Sequence, residues 1–309
     1  MTALIIRSVL DEAVISVDAA RLRAEVDGTV IEATGPIELR ARLAATVYTH
    51  LHLRNPLLGE TAGGDGQDLA PRLIDAIPHR TVRQPAPSGV LGSATVQGEE
   101  RRVVELGRVR VLVPEVDLVR SADGAVAGVR LPSWRTRTTP GYLLALGPMG
   151  LDPADRVVRL SLVADSAEDA LALWGPLLEA LAASGARHQA KALSDPRAFP
   201  RSDALVVYLP ADSADDVARR ITPLLDARPS PRTAVSAFAE RLADGLAYAE
   251  DPADERSSYR GLSFGQHRSR VLAEALLRSS AETIPAADAW ADAARAARID
   301  PDRPGLTAR

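Results

Sequence analysis

Apolar residues near the start of the chain recur at the spacing of a helix. Four of them within residues 37–52 form one stripe, with a separation of four positions. The stripe consists of Leu39, Leu43, Val47 and Leu51. Such a stripe predicts an amphipathic helix that turns its apolar side toward the core. We therefore expect residues 1–85 to form a mainly helical N-terminal region.

Between about residues 93 and 147 the pattern changes to short runs rich in β-branched residues. Gly, Pro or Asp-Gly turns separate these runs, so they predict an antiparallel meander. The runs are SATVQ, RRVVEL, RVRVLVP, VDLVR and AVAGVRL. A further strand is predicted within TPGYLLALG, residues 139–147.

The chain then follows the order strand, helix, strand, strand, helix. The first helix is capped by Asp165 or Ser166 and ends at Gly185, because these residue types suit the two helix ends. The next helix starts at Ser213, which forms a capping-box-like pattern with Asp216. The strands are predicted at 157–164 (VVRLSLVA), 188–193 (HQAKAL) and 204–210 (ALVVYLP).

The remaining residues have helical periodicity. Helices are predicted at about 233–248, 264–278 and 286–297. The fold class is therefore α+β, with an antiparallel-rich sheet, flanking helices, and helical N-terminal and C-terminal parts. In this interpretation residues 86–309 form an α+β core, either as a second domain or as one continuous domain with the N-terminal region.

Composition narrows the classes of function. The chain has 309 residues, 46% of them hydrophobic and 25% charged, which is typical of a globular protein. Its net charge of −4 argues against a nucleic-acid-binding protein. It has no cysteine, which excludes thiolate chemistry, and no apolar run long enough to cross a membrane. The start of the chain lacks the pattern of a signal peptide, so we expect a cytoplasmic protein.

Lys191 is the only lysine, since the other 36 of the 37 basic residues are arginine. A general base must be uncharged before it acts, and arginine is effectively always protonated. Alternation places Lys191 and Gln189 on one face of the predicted strand, with His188, Ala190 and Ala192 on the other. A base and a solvated surface lysine would both occupy that polar face, so the pattern leaves both roles open.

Two interpretations of His267 are also open. It lies near the apolar face of the predicted helix 264–278, where a core-edge histidine could bond to Glu274. Alternatively it acts as an acid or phosphate ligand, because Gly265 gives an anion close access to the amides at the helix start.

Two smaller clusters complete the candidates. The i, i+4 spacing of Tyr48 and His52 places them on one helical ridge. There the two residues either pack or contact a peptide, or they serve in acid catalysis. Arg201 and Asp203 precede the strand at 204–210. In one interpretation they form a structural ion pair, and in the other Asp203 orients Lys191 or an arginine.

Several stretches resemble the HopA-type effector family, which is named from plant-pathogen type III effectors. They occur in family order and cover roughly residues 138–305. These stretches are TTPGYLLALGP, RLSLV followed by a helix, HQAKALSDPRAFPRSDALVVYLP, SFGQHRSRVLAEAL and IDPDRP. Relatives of this family also serve as lyase partners in ribosomally made peptide pathways, including those of class V lanthipeptides and thioamitides.

The resemblance implies a phosphoserine/phosphothreonine lyase that needs neither a metal ion nor an organic cofactor. Its partners would be a phosphorylated precursor peptide and a separate kinase, with no nucleic acid and no membrane. Its products would be dehydroalanine and dehydrobutyrine. Lys191 would abstract the α-proton, and His267 or Tyr48 would assist the leaving phosphate. The phosphate and substrate contacts would come from Arg137, Arg159, Arg268, Arg270 and Asp203. The alternative is a non-catalytic scaffold or effector-like module that binds a peptide or a kinase.

Overall fold

The computed structural model describes residues 9–58, 68–152 and 154–308, without the side chain of Arg137. The helices are α1 (Pro36–Val47), α2 (Ala70–Asp75), α3 (Ala167–Ser184), α4 (Ala214–Asp226), α5 (Phe264–Glu282) and α6 (Ala286–Ala296). A π-helical segment, Tyr48–Leu53, continues α1. The first nine strands are β1 (Ile15–Asp18), β2 (Arg23–Val26), β3 (Thr29–Glu32), β4 (Thr81–Pro85), β5 (Val90–Val96), β6 (Glu99–Leu106), β7 (Val109–Pro114), β8 (Leu118–Arg120) and β9 (Val126–Pro132). The others are β10 (Trp134–Thr139), β11 (Tyr142–Leu146), β12 (Val157–Ala164), β13 (Gln189–Leu193), β14 (Arg201–Pro210), β15 (Glu240–Ala243) and β16 (Leu246–Glu250).

Seven strands form an antiparallel sheet in the order β10-β11-β13-β14-β12-β16-β15. Its two faces pack into two different cores, because successive side chains of a strand point to opposite faces. One core contains the apolar sides of α3 and α4. The second core contains α1, α5 and α6, together with residues of the N-terminal sheet β1-β2-β3. This arrangement confirms the predicted α+β fold.

Most of the predicted elements between residues 157 and 226 are confirmed. Strand β12 has the predicted bounds. Ser166 caps α3 by accepting a hydrogen bond from the amide of Asp169, and Gly185 ends the helix in a left-handed conformation. Ser213 begins α4, but its side chain makes no capping hydrogen bond and donates to Asp212 instead. The capping box predicted there is therefore wrong.

The N-terminal region combines the predicted helix with a small sheet. All four residues of the predicted stripe, from Leu39 to Leu51, are fully buried. The chain before them forms β1, β2 and β3, which helical periodicity does not predict. Asp27 and Gly28 both have positive φ in the β2–β3 turn, and Asp-Gly is a common pair in such hairpins. This turn is the sequence signal for the sheet.

The helix predicted at 233–248 is wrong. The chain there forms the hairpin β15–β16 instead. Gly245 in its turn has a φ of +72°, a left-handed conformation that favours glycine. Leu246 belongs to the core beneath α3 and α4, whereas Ala249 belongs to the opposite core. Because both faces of β16 are buried, its apolar residues lack the simple alternation of a half-exposed strand.

The meander predicted from residue 93 onward is confirmed, but it divides into two sheets. These are β5-β6-β7 and β4-β9-β8, and they share a small core. The N-terminal and C-terminal regions also share a core, because α1 packs against α5. A domain boundary near residue 85 stays a prediction. Within the described residues, every helix is too short or too polar to span a lipid bilayer.

The two serines at helix starts give a matched test of capping. Ser263 forms a capping box with Gln266 at the start of α5, whereas Ser213 makes no such bond. We predict that Ser263→Ala lowers the free energy of unfolding by about 1 kcal/mol, the usual cost of losing a capping side chain. Ser213→Ala should change it by less than about 0.5 kcal/mol. Urea denaturation measures both variants, and equal losses would contradict the assigned cap.

Candidate active site

Lys191 lies in the middle of β13, on the sheet face turned away from α3 and α4. Its neighbours Ala190 and Ala192 are buried beneath those helices, so alternation turns the lysine to the other face, as predicted. The side chain is half-buried. Its Nζ lies 4.2 Å from the centre of the Tyr142 ring and 6.0 Å from that of Tyr208. The amine therefore lies against aromatic rings.

A β-bulge in β14 brings two charged residues to the same face. The register between β12 and β14 shifts at this point. Ala204 and Leu205 are adjacent, yet both are buried in the core beneath α3 and α4. Two consecutive residues on one side are the mark of a bulge, which re-aims the neighbouring side chains. Arg201 and Asp203 consequently lie on the face that carries Lys191.

Arg201 and Asp203 form a buried ion pair. Arg201 Nε donates to Asp203 Oδ1 at 2.7 Å and Nη2 donates to Oδ2 at 3.3 Å. The two residues are only 8% and 6% exposed. Burial alone would raise the pKa of the Asp203 carboxyl, but the charge of Arg201, the His52 ring and the charge of Lys191 lower that pKa well below its usual range. Asp203 is therefore ionised at neutral pH.

The π-helical segment after α1 supplies two more side chains to this cluster. Arg201 Nη2 donates to Tyr48 Oη at 3.4 Å. His52 Nε2 lies 3.6 Å from Asp203 Oδ2, and the Tyr48 and His52 rings are 5.3 Å apart, as their shared ridge predicts. Burial and the charge of Asp203 raise the pKa of Tyr48. The phenol consequently keeps its proton at neutral pH.

Arg159 approaches the same face from β12. Its register partner on β14 is Tyr208, and its guanidinium carbon lies 5.4 Å from that ring and 5.1 Å from the Phe264 ring. The side chain is 12% exposed and forms an ion pair with Asp251. Its Nε is buried without a hydrogen-bond partner among the described residues. Lys191 and Arg159 thus lie beside one tyrosine ring, Tyr208.

His267 and Arg268 form a buried cluster on α5, in which the Arg268 guanidinium lies against the same Phe264 ring as Arg159. His267 Nε2 lies 3.0 Å from Asp254 Oδ2, and Arg268 Nη1 donates to His267 Nδ1 at 2.8 Å. Arg268 Nε donates to the carbonyl of Pro304 at 2.7 Å. Both residues are 1% exposed. Because both ring nitrogens have protein partners, neither faces a substrate in this arrangement.

The suggested bond between His267 and Glu274 is wrong. Residues seven apart on a helix are separated by about 10 Å along its axis, too far for a direct bond. Glu274 instead accepts hydrogen bonds from Tyr259 and from Arg270. Arg270 also donates to the carbonyl of Ser258 at 3.0 Å. Arg270 therefore serves this local network, away from the described contacts of Lys191.

The structure thus divides the predicted residues into two groups. It brings Tyr48 and Asp203 to the Lys191 face, with Arg159 two strands away on β12, and it places His267, Arg268 and Arg270 in other contacts on α5. The side chain of Arg137 lies outside the described part of the chain. The aromatic walls around the amine were not predicted as site residues. They are Tyr142 and Tyr208, and alternation with Lys191 would identify them only once the register of the strands is known.

The start of α5 also differs from its predicted role. Gly265 was expected to give an anion access to the backbone amides. Instead, the His52 ring occupies the space where a side chain at position 265 would begin. An anion cannot approach Gly265 from that side while the ring is in place.

Comparisons with known proteins place these observations in a family. The model of the HopA1 effector protein family matches residues 133–306. An effector of Pseudomonas syringae pv. tomato strain DC3000 is 19% identical with a TM-score of 0.43, over 54% of this chain and 63% of the effector. The chain thus spans less than two thirds of that protein. An effector of Pseudomonas syringae pv. syringae strain 61 is 16% identical with a TM-score of 0.45, over 79% of this chain and 84% of the effector. No curated protein sequence matches the chain.

The buried His267 predicts a specific acid sensitivity. Burial, followed by the charge of Arg268, lowers the pKa of its imidazole from 6.5 to about 4. Between those values the unfolded chain binds a proton that the folded protein does not, so stability falls as the pH falls. Replacing the imidazole by an amide, His267→Gln, should remove at most about 2 kcal/mol of the stability lost between about pH 7 and pH 5. Urea denaturation at both pH values measures this, and an unchanged pH dependence would contradict the assignment.

Proposed function

Because the chain belongs to the HopA1 effector protein family, and because its only lysine lies in a polar cluster, we propose that it is a phosphoserine/phosphothreonine lyase. The substrate would be a phosphorylated precursor peptide in a lanthipeptide-like pathway, with phosphate supplied by a separate kinase. The observation that carries the proposal is the position of Lys191. Its amine shares one sheet face with a buried arginine–aspartate pair, and the protonated Tyr48 contacts that pair from the π-helical segment.

The proposed step is a β-elimination. Once it has lost its proton, the amine of Lys191 takes the α-proton of the phosphorylated residue and becomes an ammonium again. The electron pair of that C–H bond forms the Cα–Cβ double bond as the Cβ–O bond to phosphate breaks. The products are inorganic phosphate and dehydroalanine or dehydrobutyrine. The elimination is balanced in atoms and electrons without an electron acceptor or a second substrate.

Arg201 is the best-supported ligand for the leaving phosphate. Its Nε and Nη2 are directed at Asp203 and Tyr48, whereas Nη1 has no hydrogen-bond partner among the described residues. Guanidinium groups bind phosphate oxygens through short, charge-assisted hydrogen bonds. Arg159 would supply a second positive charge if the incoming phosphate displaced Asp251. Charge developing on the leaving oxygen would then be stabilised from two sides.

Tyr48 is better placed than His267 to protonate the leaving group. Its oxygen accepts a hydrogen bond from Arg201, so its own proton is available for donation. The raised pKa of the phenol keeps that proton in place until phosphate leaves. His267 has both ring nitrogens occupied, and in this proposal it supports α5 without taking part in proton transfer.

Lys191→Arg provides the direct test. It keeps the positive charge but removes the neutral form that a base requires. We predict at least about a 10²-fold loss of elimination rate, measured as phosphate released from synthetic peptides that carry phosphoserine or phosphothreonine in randomised surroundings. Thiol addition followed by mass spectrometry detects the dehydrated product. The unphosphorylated peptides are the substrate control, and urea denaturation shows that the variant is folded.

Two outcomes would overturn the proposal. If Lys191→Arg eliminates phosphate at the parental rate, Lys191 is not the base. Phosphopeptide binding that survives Lys191→Met, with no elimination in either protein, would favour the non-catalytic scaffold.

A further inference from the structure

The start of α5 is fixed in position by a complete capping box. Ser263 Oγ accepts from the amide of Gln266 at 3.4 Å, and Gln266 Oε1 accepts from the amide of Ser263 at 3.0 Å. These reciprocal bonds satisfy two helix amides that would otherwise lack partners. The backbone of Gly265, between the two residues, is thereby held in the first turn.

The ring of His52 packs directly on the backbone at Gly265. A Cβ atom at this position would lie 2.0 Å from Cδ2 of the ring and 2.3 Å from its Nε2. Neighbouring Phe264 meets the same ring edge-on, with the ring centres 5.8 Å apart. Any side chain at position 265 would therefore push the histidine ring away from α5.

Hydrogen bonds hold His52 from its other side. Ser236 is 4% exposed, and its Oγ lies 2.8 Å from His52 Nδ1 and accepts from the amide of Phe238 at 3.2 Å. Since that oxygen already accepts a hydrogen bond, its hydroxyl proton is free to point at Nδ1. Ser202 Oγ also donates to the His52 carbonyl. The ring has little freedom to rotate.

This arrangement determines what His52 presents to the candidate site. In the tautomer in which Nδ1 accepts from Ser236, the ring proton resides on Nε2, which lies 3.6 Å from Asp203 Oδ2. Burial lowers the pKa of His52, so the ring is neutral. Asp203 in turn holds Arg201, whose Nη2 reaches Tyr48. One chain of contacts thus runs from the helix start to the proposed phosphate ligand.

We infer that His52 and Gly265 are positioning residues for the proposed elimination. Gly265 leaves room for the ring, and the ring fixes the Asp203 carboxylate that aims Arg201 at the phosphate. The glycine in the SFGQHR motif is then needed for close packing of helix against histidine, and it does not bind an anion. This inference rests on the proposed function, because it assigns these residues to the same reaction.

Gly265→Ala and its partner substitutions test the inference. Gly265→Ala should lower kcat for phosphate release by about 10-fold or more, since misplacing a charge-stabilising group raises the barrier by at least ~1.4 kcal/mol. It should leave KM within a few-fold. Gly175→Ala is the matched control, because a Cβ there would meet only an ordinary contact at 3.8 Å. That variant should keep the parental kcat.

A second substitution separates positioning from simple destabilisation. Adding His52→Ala to Gly265→Ala removes the steric conflict and should restore the urea midpoint toward that of His52→Ala alone. It should not restore kcat, because the contact with Asp203 is still missing. His52→Gln keeps an N–H donor toward Asp203 and should recover part of the kcat lost in His52→Ala.

The outcomes distinguish the inference from the proposed function. Parental kcat in Gly265→Ala, or recovery of kcat in the double variant, would overturn the positioning role while leaving the lyase proposal intact. No elimination by the parental protein would overturn the lyase proposal. In that event nitrogen NMR of His52 still tests the geometry: the Nε2–H tautomer should dominate in the parental protein and be lost in Gly265→Ala. An unchanged tautomer would contradict it.

Discussion

The candidate site depends on the buried ion pair between Arg201 and Asp203. Two charges withdrawn from water are tolerated only when each satisfies the other, and removing one leaves the partner uncompensated at a cost of roughly 3–5 kcal/mol. The bulge in β14 makes this pair possible, because it turns both residues away from the core under α3 and α4. The contacts of Tyr48 and His52 follow from the fixed position of the pair.

Helix α5 has two distinct roles in this arrangement. Its first turn, at Gly265, faces the ring that supports Asp203. The next residues, His267 and Arg268, are directed at Asp254 and Pro304. These buried bonds fix the helix relative to the loop that precedes it and to the C-terminal segment, so the motif SFGQHR joins the site to its structural support. The centre of the Phe264 ring lies 5.1 Å from the guanidinium carbon of Arg159 and 4.9 Å from that of Arg268.

Sequence patterns predicted those parts of the fold that depend on local chemistry. Alternation of apolar and polar residues predicted the strands around Lys191. The residue preferences at helix ends predicted the cap and the end of α3. The hairpin at 240–250 was missed, although Asp244-Gly245 marks its turn, because a strand buried on both faces lacks clear alternation. The bulge at Asp203 could not be predicted, since it depends on the register with β12. For the same reason, the sequence identified Lys191 and Tyr48 but not Tyr142 and Tyr208 around them.

The most direct test of the proposed lyase site is a crystal structure of the Lys191→Met variant bound to a phosphothreonine peptide. Removing the amine should leave the phosphopeptide intact while the rest of the face is preserved. We predict that a phosphate oxygen contacts Arg201 Nη1 and that the α-carbon of the phosphothreonine lies next to position 191. A phosphate bound among Arg268 and Arg270, or anywhere remote from β13, would contradict it.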